Sequence, residues 1–242
     1  MKTNQLIFHF ASVPAVCACA LLLVSCASTG DKAGSGSSSA SAAKYKADDG
    51  RTIDIGKATA SEGGRSFRNP HMEKCWVAEG FDFNGYDTLY VAETQSTAKF
   101  NKDEERPHQL AREALVTELA RSLGSKGIFA NVVTRESDIK PGARTLKLEN
   151  TILEYAKGGG AARYFAGLYG GGQPRLRVQG RMTEGSRVVF SFDARRSGVS
   201  AGARMGGAFM KDEDIQIEDI RSLVLDLTDF VAAIAGKYQP KS

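Results

Sequence analysis

Two short patterns in this chain carry the residue types of nucleophilic catalysis. Gly198-Val199-Ser200-Ala201-Gly202 has the spacing of a nucleophile elbow, and Ser96-Thr97-Ala98-Lys99 sets a lysine three positions after a serine. An elbow serine needs a later histidine to take its proton, and none follows Ser200. A serine–lysine site needs a Ser-Asp-Asn element and a Lys-Thr-Gly strand, and neither occurs downstream. Past the N-terminal segment the chain holds two histidines, His71 and His108, 37 positions apart, and one thiol, Cys75. That is no metal-ligand spacing, and no Gly-x-x-x-x-Gly-Lys-Ser/Thr phosphate cradle is present. The reading is therefore not an enzyme: no catalytic residue, no metal and no cofactor are expected.

The clearest chemistry lies at the N-terminus. Lys2 precedes an apolar run from Leu6 to Leu23, which closes on Leu23-Val24-Ser25-Cys26. A small residue before cysteine, after aliphatic positions, resembles the lipobox of bacterial lipoproteins, so residues 1–25 are expected to be a cleaved signal peptide. The alternatives are an ordinary secretory signal or an uncleaved helix, but the run barely reaches the ~18 residues of a span and is broken by His9 and Pro14. Cys26 would then carry diacylglycerol and a further acyl chain such as palmitate. One chain binds a bilayer marginally, whereas two or three anchor it stably. Ala27, rather than aspartate, follows the cysteine. By resemblance to the sorting rule of Gram-negative lipoproteins, this favours the outer membrane, facing the periplasm. Of four cysteines, Cys17 and Cys19 leave with the signal and Cys26 is acylated. Cys75 remains to pair between chains, to react, or to sit buried as a small residue.

Charge points to partners only weakly. The formal +4 falls to +3 without Lys2, which is no nucleic-acid signature. The distribution is uneven: eight arginines lie between Arg163 and Arg204 against Glu184 and Asp193, while seven acidic residues face four basic ones from Lys211 onward. Gly158-Gly159-Gly160 and Gly170-Gly171-Gly172 bracket a segment rich in Tyr, Phe and Leu. Exposed, such a segment is a contact loop for a partner or membrane; packed, it is a crossover whose aromatics lie on the sheet. Together with the loop 197–210 it yields candidate partner-contact residues Arg163, Tyr164, Phe165, Arg175 and Arg177, an aromatic-basic patch suited to an envelope protein or an anionic glycan.

The elements that must position these residues follow from periodicity. Residues 26–66 are Ser-, Ala-, Gly- and Lys-rich and read as a lipidated tether, too poor in apolar residues to offset ordering, with a reach of roughly 35 Å. Residues 67–242 read as one domain, its structure starting near Trp76. A strand is expected over Thr88–Glu93, then a helix begun by Pro107 with Leu110, Ala111, Ala114, Leu115, Leu119 and Leu123 on one face. Strands follow at Phe129–Thr134 and Thr145–Tyr155, then a hairpin of Arg175–Met182 and Arg187–Arg195 about Thr183–Ser186. Asp214–Ala235 is a long amphipathic helix with Gly236 as its cap. The order predicts an α+β fold: a mostly antiparallel sheet with two helices packed on one face.

Several of these features, taken in series, carry a resemblance. They are Tyr86-Asp87-Thr88-Leu89-Tyr90-Val91 before a polar-start helix, Leu119-Ala120-Arg121-Ser122-Leu123, Gly127-Ile128-Phe129, Gly160-Ala161-Ala162-Arg163, Gly167, Gly170-Gly171-Gly172, the hairpin and the terminal helix. Over roughly residues 80–238 the chain resembles the bacterial lipoprotein family called domain of unknown function 4410. More distantly it is similar to periplasmic lipoprotein domains of the curli-secretion and penicillin-binding-protein-activator type. The tip Glu184-Gly185 departs from the aspartate-containing turn expected there. The resemblance implies an envelope lipoprotein without established enzymatic activity and supplies no site. The expectation is a membrane-anchored, non-enzymatic binding or assembly module; the alternative is an enzyme or enzyme activator in cell-wall or polysaccharide metabolism. A third reading, ring-forming export machinery, needs oligomers and long alternating hairpins, and one short hairpin argues against it.

Overall fold

A computed structural model of the chain describes residues 43–69, 71–159, 174–197 and 212–241. Twelve strands and two α-helices occur among them: β1 (Lys44–Lys46), β2 (Thr52–Asp54), β3 (Lys57–Ser61), β4 (Gly64–Arg68), β5 (Lys74–Ala78), β6 (Thr88–Val91), β7 (Gln95–Ser96), α1 (Glu105–Ser125), β8 (Asn131–Val133), β9 (Thr145–Ala156), β10 (Arg175–Glu184), β11 (Arg187–Arg196), α2 (Asp212–Ile234) and β12 (Gln239–Pro240). The main sheet runs β3-β4-β5-β11-β10-β9-β6-β8, with β7 paired to β9 off that path. The pairs from β3 to β9 are antiparallel, while β6 is parallel to both β8 and β9. The fold is thus α+β with a mostly antiparallel, mixed sheet, as the sequence pattern implies.

The helices form where the apolar spacing demands them. Glu104 reaches back to the backbone N–H of Asn101 at 2.9 Å, satisfying a donor ahead of the first turn of α1. Ala111, Leu115, Leu119 and Leu123 are buried at four-residue spacing, and each fully buried leucine contributes roughly 1.5–3 kcal/mol. In α2, Gly236 has φ +72°, and the N–H of Lys237 bonds to the carbonyl of Ala232 at 2.9 Å. This is a Schellman ending, with glycine in the left-handed position. From Leu227 to Ala233 every residue of α2 is buried, more than one sheet contact would bury. The second cover is a three-stranded sheet, β12-β1-β2, which brings β2 against α2.

That small sheet corrects the expected organisation. Composition places residues 43–66 in the tether, yet they supply β1 to β3 and part of β4. Ile55 and Phe67 are 1% and 3% exposed, so the folded domain begins by residue 43 rather than 67. Residues 1–42, including the lipobox and Cys26, lie outside the described residues, as do 160–173 and 198–211.

Strand alternation divides the main sheet into two faces. In β9, Leu146, Leu148, Asn150 and Ile152 are buried while Lys147, Glu149 and Thr151 are not. Across from them Val178, Gly180 and Met182 of β10 and Phe190, Phe192 and Ala194 of β11 are buried too. These side chains join those of α1 and α2 in one core cluster, so both helices cover the same face. Gly180 is required there. A Cβ at this position would lie 2.2 Å from the Phe192 ring and 2.7 Å from Asn150 Oδ1. Glycine in a strand interior marks such a close approach.

Candidate functional site

The uncovered face of the sheet is the candidate site. Both α-helices contribute to the core on the other face, and the outward positions of β9, β10 and β11 carry charge. The registers Trp76↔Ser191, Ser191↔Arg181 and Arg181↔Glu149 draw one row of side chains across β5, β11, β10 and β9. Tyr90 of β6 pairs with Lys147, the next outward position along β9 from Glu149. A hollow of about 780 Å³ lies over this row, lined also by Lys74, Glu93, Thr151, Gln179 and Asp193. Its size falls within the ~300–1,000 Å³ usual for ligand clefts.

Ion pairs hold this face in shape. Glu149 accepts from Arg181 Nε at 2.9 Å and lies 2.9 Å from Lys147 Nζ. Hydrogen bonds from Lys147 and then Arg181 hold its carboxyl below the ordinary range. Arg177 grips Asp193 with two bonds of 3.0 and 2.7 Å, and Gln179 adds one of 3.1 Å, so the Asp193 carboxyl is likewise held low. A β-bulge between Arg177 and Val178 extends the lattice: Arg177 faces Glu154 while Val178 faces Ile152, leaving Leu153 as the extra residue. Strict alternation would point Glu154 into the core. The bulge re-aims it outward, where it lies 3.5 Å from Arg175 and 3.7 Å from Arg195.

Of the residues expected to contact a partner, Arg175 and Arg177 sit on this face. They are engaged with Glu154, Asp193 and Glu73 and form no free basic patch. Arg163, Tyr164 and Phe165 lie outside the described residues, as do Leu23, Val24, Ser25 and Cys26. The carboxylates that neutralise the arginines went unread, because pairing needs the cross-strand register. Trp76 and Tyr90 went unread as rim residues for the same reason. Cys75 is fully buried, 3.9 Å from Met72 Sδ, and burial pushes its thiol far above the ordinary range.

Two other clusters hold titratable groups. Ser96 of the serine–lysine pattern ends β7, and Lys99 is exposed on the irregular stretch that follows. Ser96 Oγ lies 2.9 Å from His108 Nε2, beside a hollow of about 910 Å³ along α1. Burial, with the Arg112 charge second, lowers the pKa of His108. The ring is therefore mainly neutral at neutral pH, stacked on Phe100 at 4.2 Å and edge-on to Tyr155 at 5.0 Å. A nucleophile pair also wants the base oriented by a third group. Glu104, one turn before His108, spends its oxygens on the backbone N–H groups of Asn101 and Lys157 at 2.9 and 2.8 Å. The Ser96 hydroxyl accepts from the N–H of Ala98 at 3.2 Å and donates to the Ile152 carbonyl at 3.3 Å, so it ties β7 to β9.

The other cluster clasps the small sheet to the core. Asp229, 2% exposed, accepts from Tyr238 at 2.6 Å and Arg51 at 2.9 Å, and Lys126 Nζ lies 3.1 Å away. Nearby, buried Arg196 donates to Asp226 at 2.5 Å and to the His71 carbonyl at 2.6 Å. Among the described residues no group of three His, Cys, Asp or Glu is placed to hold a metal, and no helix is long and apolar enough to cross a membrane.

No family model matches the chain, and no curated protein does. Solved structures give distant likenesses. A PelC dodecamer from Paraburkholderia phytofirmans is 16% identical, with 63% of this chain and 96% of that one covered and a TM-score of 0.41. A Xanthomonas campestris protein of the DUF330 family is 14% identical, covering 63% and 86%, with a TM-score of 0.37. A putative neuraminyllactose-binding hemagglutinin homolog from Helicobacter pylori is 11% identical, covering 60% and 83%, with a TM-score of 0.31. At these distances function rests on the chain's own residues.

Proposed function

We propose that this chain is a lipid-anchored, non-enzymatic binding or assembly module of the bacterial envelope. In this reading Cys26 carries the lipid at the outer membrane, and the domain faces the periplasm. The observation that carries it is the uneven cover of the sheet: α1 and α2 hide one face, while the other presents a walled hollow floored by fixed polar groups. Rigid strands hold recognition groups more precisely than loops do.

Two measurements on one strain test this. Metabolic labelling with an alkynyl palmitate should mark the chain and lose that mark in Cys26→Ser, with the protein leaving the membrane fraction. A photo-crosslinking residue at position 179 should give discrete adducts in intact cells. An unlabelled chain, or an open face that crosslinks to nothing, sinks the reading. The Ser96–His108 contact favours a second reading, an enzyme or enzyme activator of cell-wall or polysaccharide metabolism. Labelling by a fluorophosphonate that Ser96→Ala abolishes would put it in place of the first.

A further inference from the structure

We infer that the hollow between Trp76 and Tyr90 is a groove for an extended, uncharged polysaccharide strand running across the sheet. This deepens the binding-module reading and rests on it.

The first ground is the placement of the two rings. Trp76 is on β5 and Tyr90 on β6, and both line the hollow while half-buried. Between them lie β11, β10 and β9. Four strand spacings of about 4.8 Å separate the rings by roughly 19 Å, the reach of several linked sugar rings rather than one. Trp76 is propped on the β3–β4 turn, where a Cβ at Gly64 would fall 2.9 Å from its ring. An aromatic ring with one wet side offers a platform for the C–H face of a sugar, and such rings favour surfaces that are apolar on one side and wet on the other.

The floor supplies the second ground. Ser191 and Thr151 are short and make the dip, while Arg181, Glu149, Gln179 and Asp193 surround it. The last four are planar groups already locked by mutual hydrogen bonds. Fixed planar donors and acceptors beside an aromatic wall suit adjacent hydroxyls, and their mutual bonds lower the ordering cost on the protein side.

Charge decides the class of polymer. Three cations, Lys74, Lys147 and Arg181, line the hollow against three carboxylates, Glu93, Glu149 and Asp193. Each carboxylate has a cation of its own within 2.9 Å: Arg112, Lys147 and Arg177 respectively. A polycation would have to break those pairs and a polyanion would meet one lining cation outside them, Lys74, whereas an uncharged chain breaks none. An extended peptide gains its affinity by adding to a sheet edge, and this groove is on a face.

Trp76 is the one tryptophan of the chain, so its emission reads the groove directly. The full-length chain in detergent would be titrated with cellohexaose, chitohexaose and maltohexaose, with hexagalacturonate and chitosan hexamer as charged probes. At least one neutral hexamer should give a saturable change that persists as salt rises from about 0.05 to 0.5 M. Binding should weaken about tenfold in Tyr90→Ala and in Arg181→Ala, with melting temperatures near that of the parent chain. No change with any neutral hexamer, a charged probe bound tighter, or binding that survives Tyr90→Ala overturns the inference. If the glycans fail while position 179 still crosslinks to one envelope protein in cells, the polysaccharide groove falls and the binding module stands. If both fail, both fall.

Discussion

Replacing Asp229 by alanine should detach the small N-terminal sheet at a cost of about 3 kcal/mol. The carboxylate is 2% exposed and binds three groups from distant parts of the chain: Arg51 just before β2, Lys126 at the end of α1 and Tyr238 just before β12. Breaking a buried ion pair from one side costs about 3–5 kcal/mol, because the partner charge stays buried. Here the partners escape in part, since the Arg51 side chain is 41% exposed and that of Lys126 is 21% exposed. That moves the figure to the low end of the range. Tyr238 is 4% exposed, and its hydroxyl has the least access to water. Arg51→Ala should cost only about 0.5–1 kcal/mol, because Asp229 keeps two partners and half-exposed pairs are worth little. Urea unfolding followed by Trp76 emission gives the global value. For a domain of this size about 3 kcal/mol corresponds to a fall of roughly 6–12 °C in Tm. Hydrogen exchange should show residues 43–56 and 239–241 losing protection first. If Asp229→Ala costs under about 1 kcal/mol, or no more than Arg51→Ala, the cluster is no clasp and the reasoning is wrong.

Three further outcomes follow from particular contacts. Gly180→Ala drives a methyl into the buried Phe192 ring at 2.2 Å and should cost about 1–3 kcal/mol by overpacking; calorimetry reads it, and an unchanged Tm contradicts it. Acid should weaken the fold in two stages. His108 has a pKa below its ordinary 6.5 when folded, so the stability from keeping it neutral is present above pH 6.5 and lost as pH falls through the lowered value. Glu149 sits below its ordinary 4.5 and Asp193 below 3.8, so their contribution is full above those values and lost below them. A pH series of Tm should show both declines, the first missing in His108→Gln. Cys75, fully buried with its pKa raised, should resist maleimide in the native protein and react only on unfolding; rapid labelling of the native thiol would contradict that packing.

What the sequence disclosed divides along physical lines. Leu115, Leu119 and Leu123 repeat at a period that only a helix satisfies, and α1 occupies Glu105–Ser125 as that period implies. The hairpin and α2 were legible for the same reason: long elements average over many positions. β1 to β4 were not. They are three to five residues long, half exposed, and rich in Lys, Ala, Ser and Thr, which reads as linker. Their large apolar residues are the isolated Tyr45, Ile53 and Phe67, with Ile55 between β2 and β3, and their burial depends on α2 and β12 far along the chain. Lys147, Glu149, Arg177 and Arg181 could be recognised as outward positions by alternation, but their pairing could not. Arg181 meets Glu149 through register, and Glu154 reaches the open face only through the bulge beside Arg177. The lone tryptophan, with two glycines a dozen positions before it, was the available signal for the rim.

The central claim is that the uncovered sheet face, not the helical layer, meets the partner. The direct test places a photo-crosslinking residue at Gln179 on that face or at exposed Glu113 on α1, in intact cells, and compares the adducts. Discrete adducts, to glycan or protein, from position 179 and none from position 113 are the result expected here. Adducts from position 113 alone would contradict the account and move recognition to the helices.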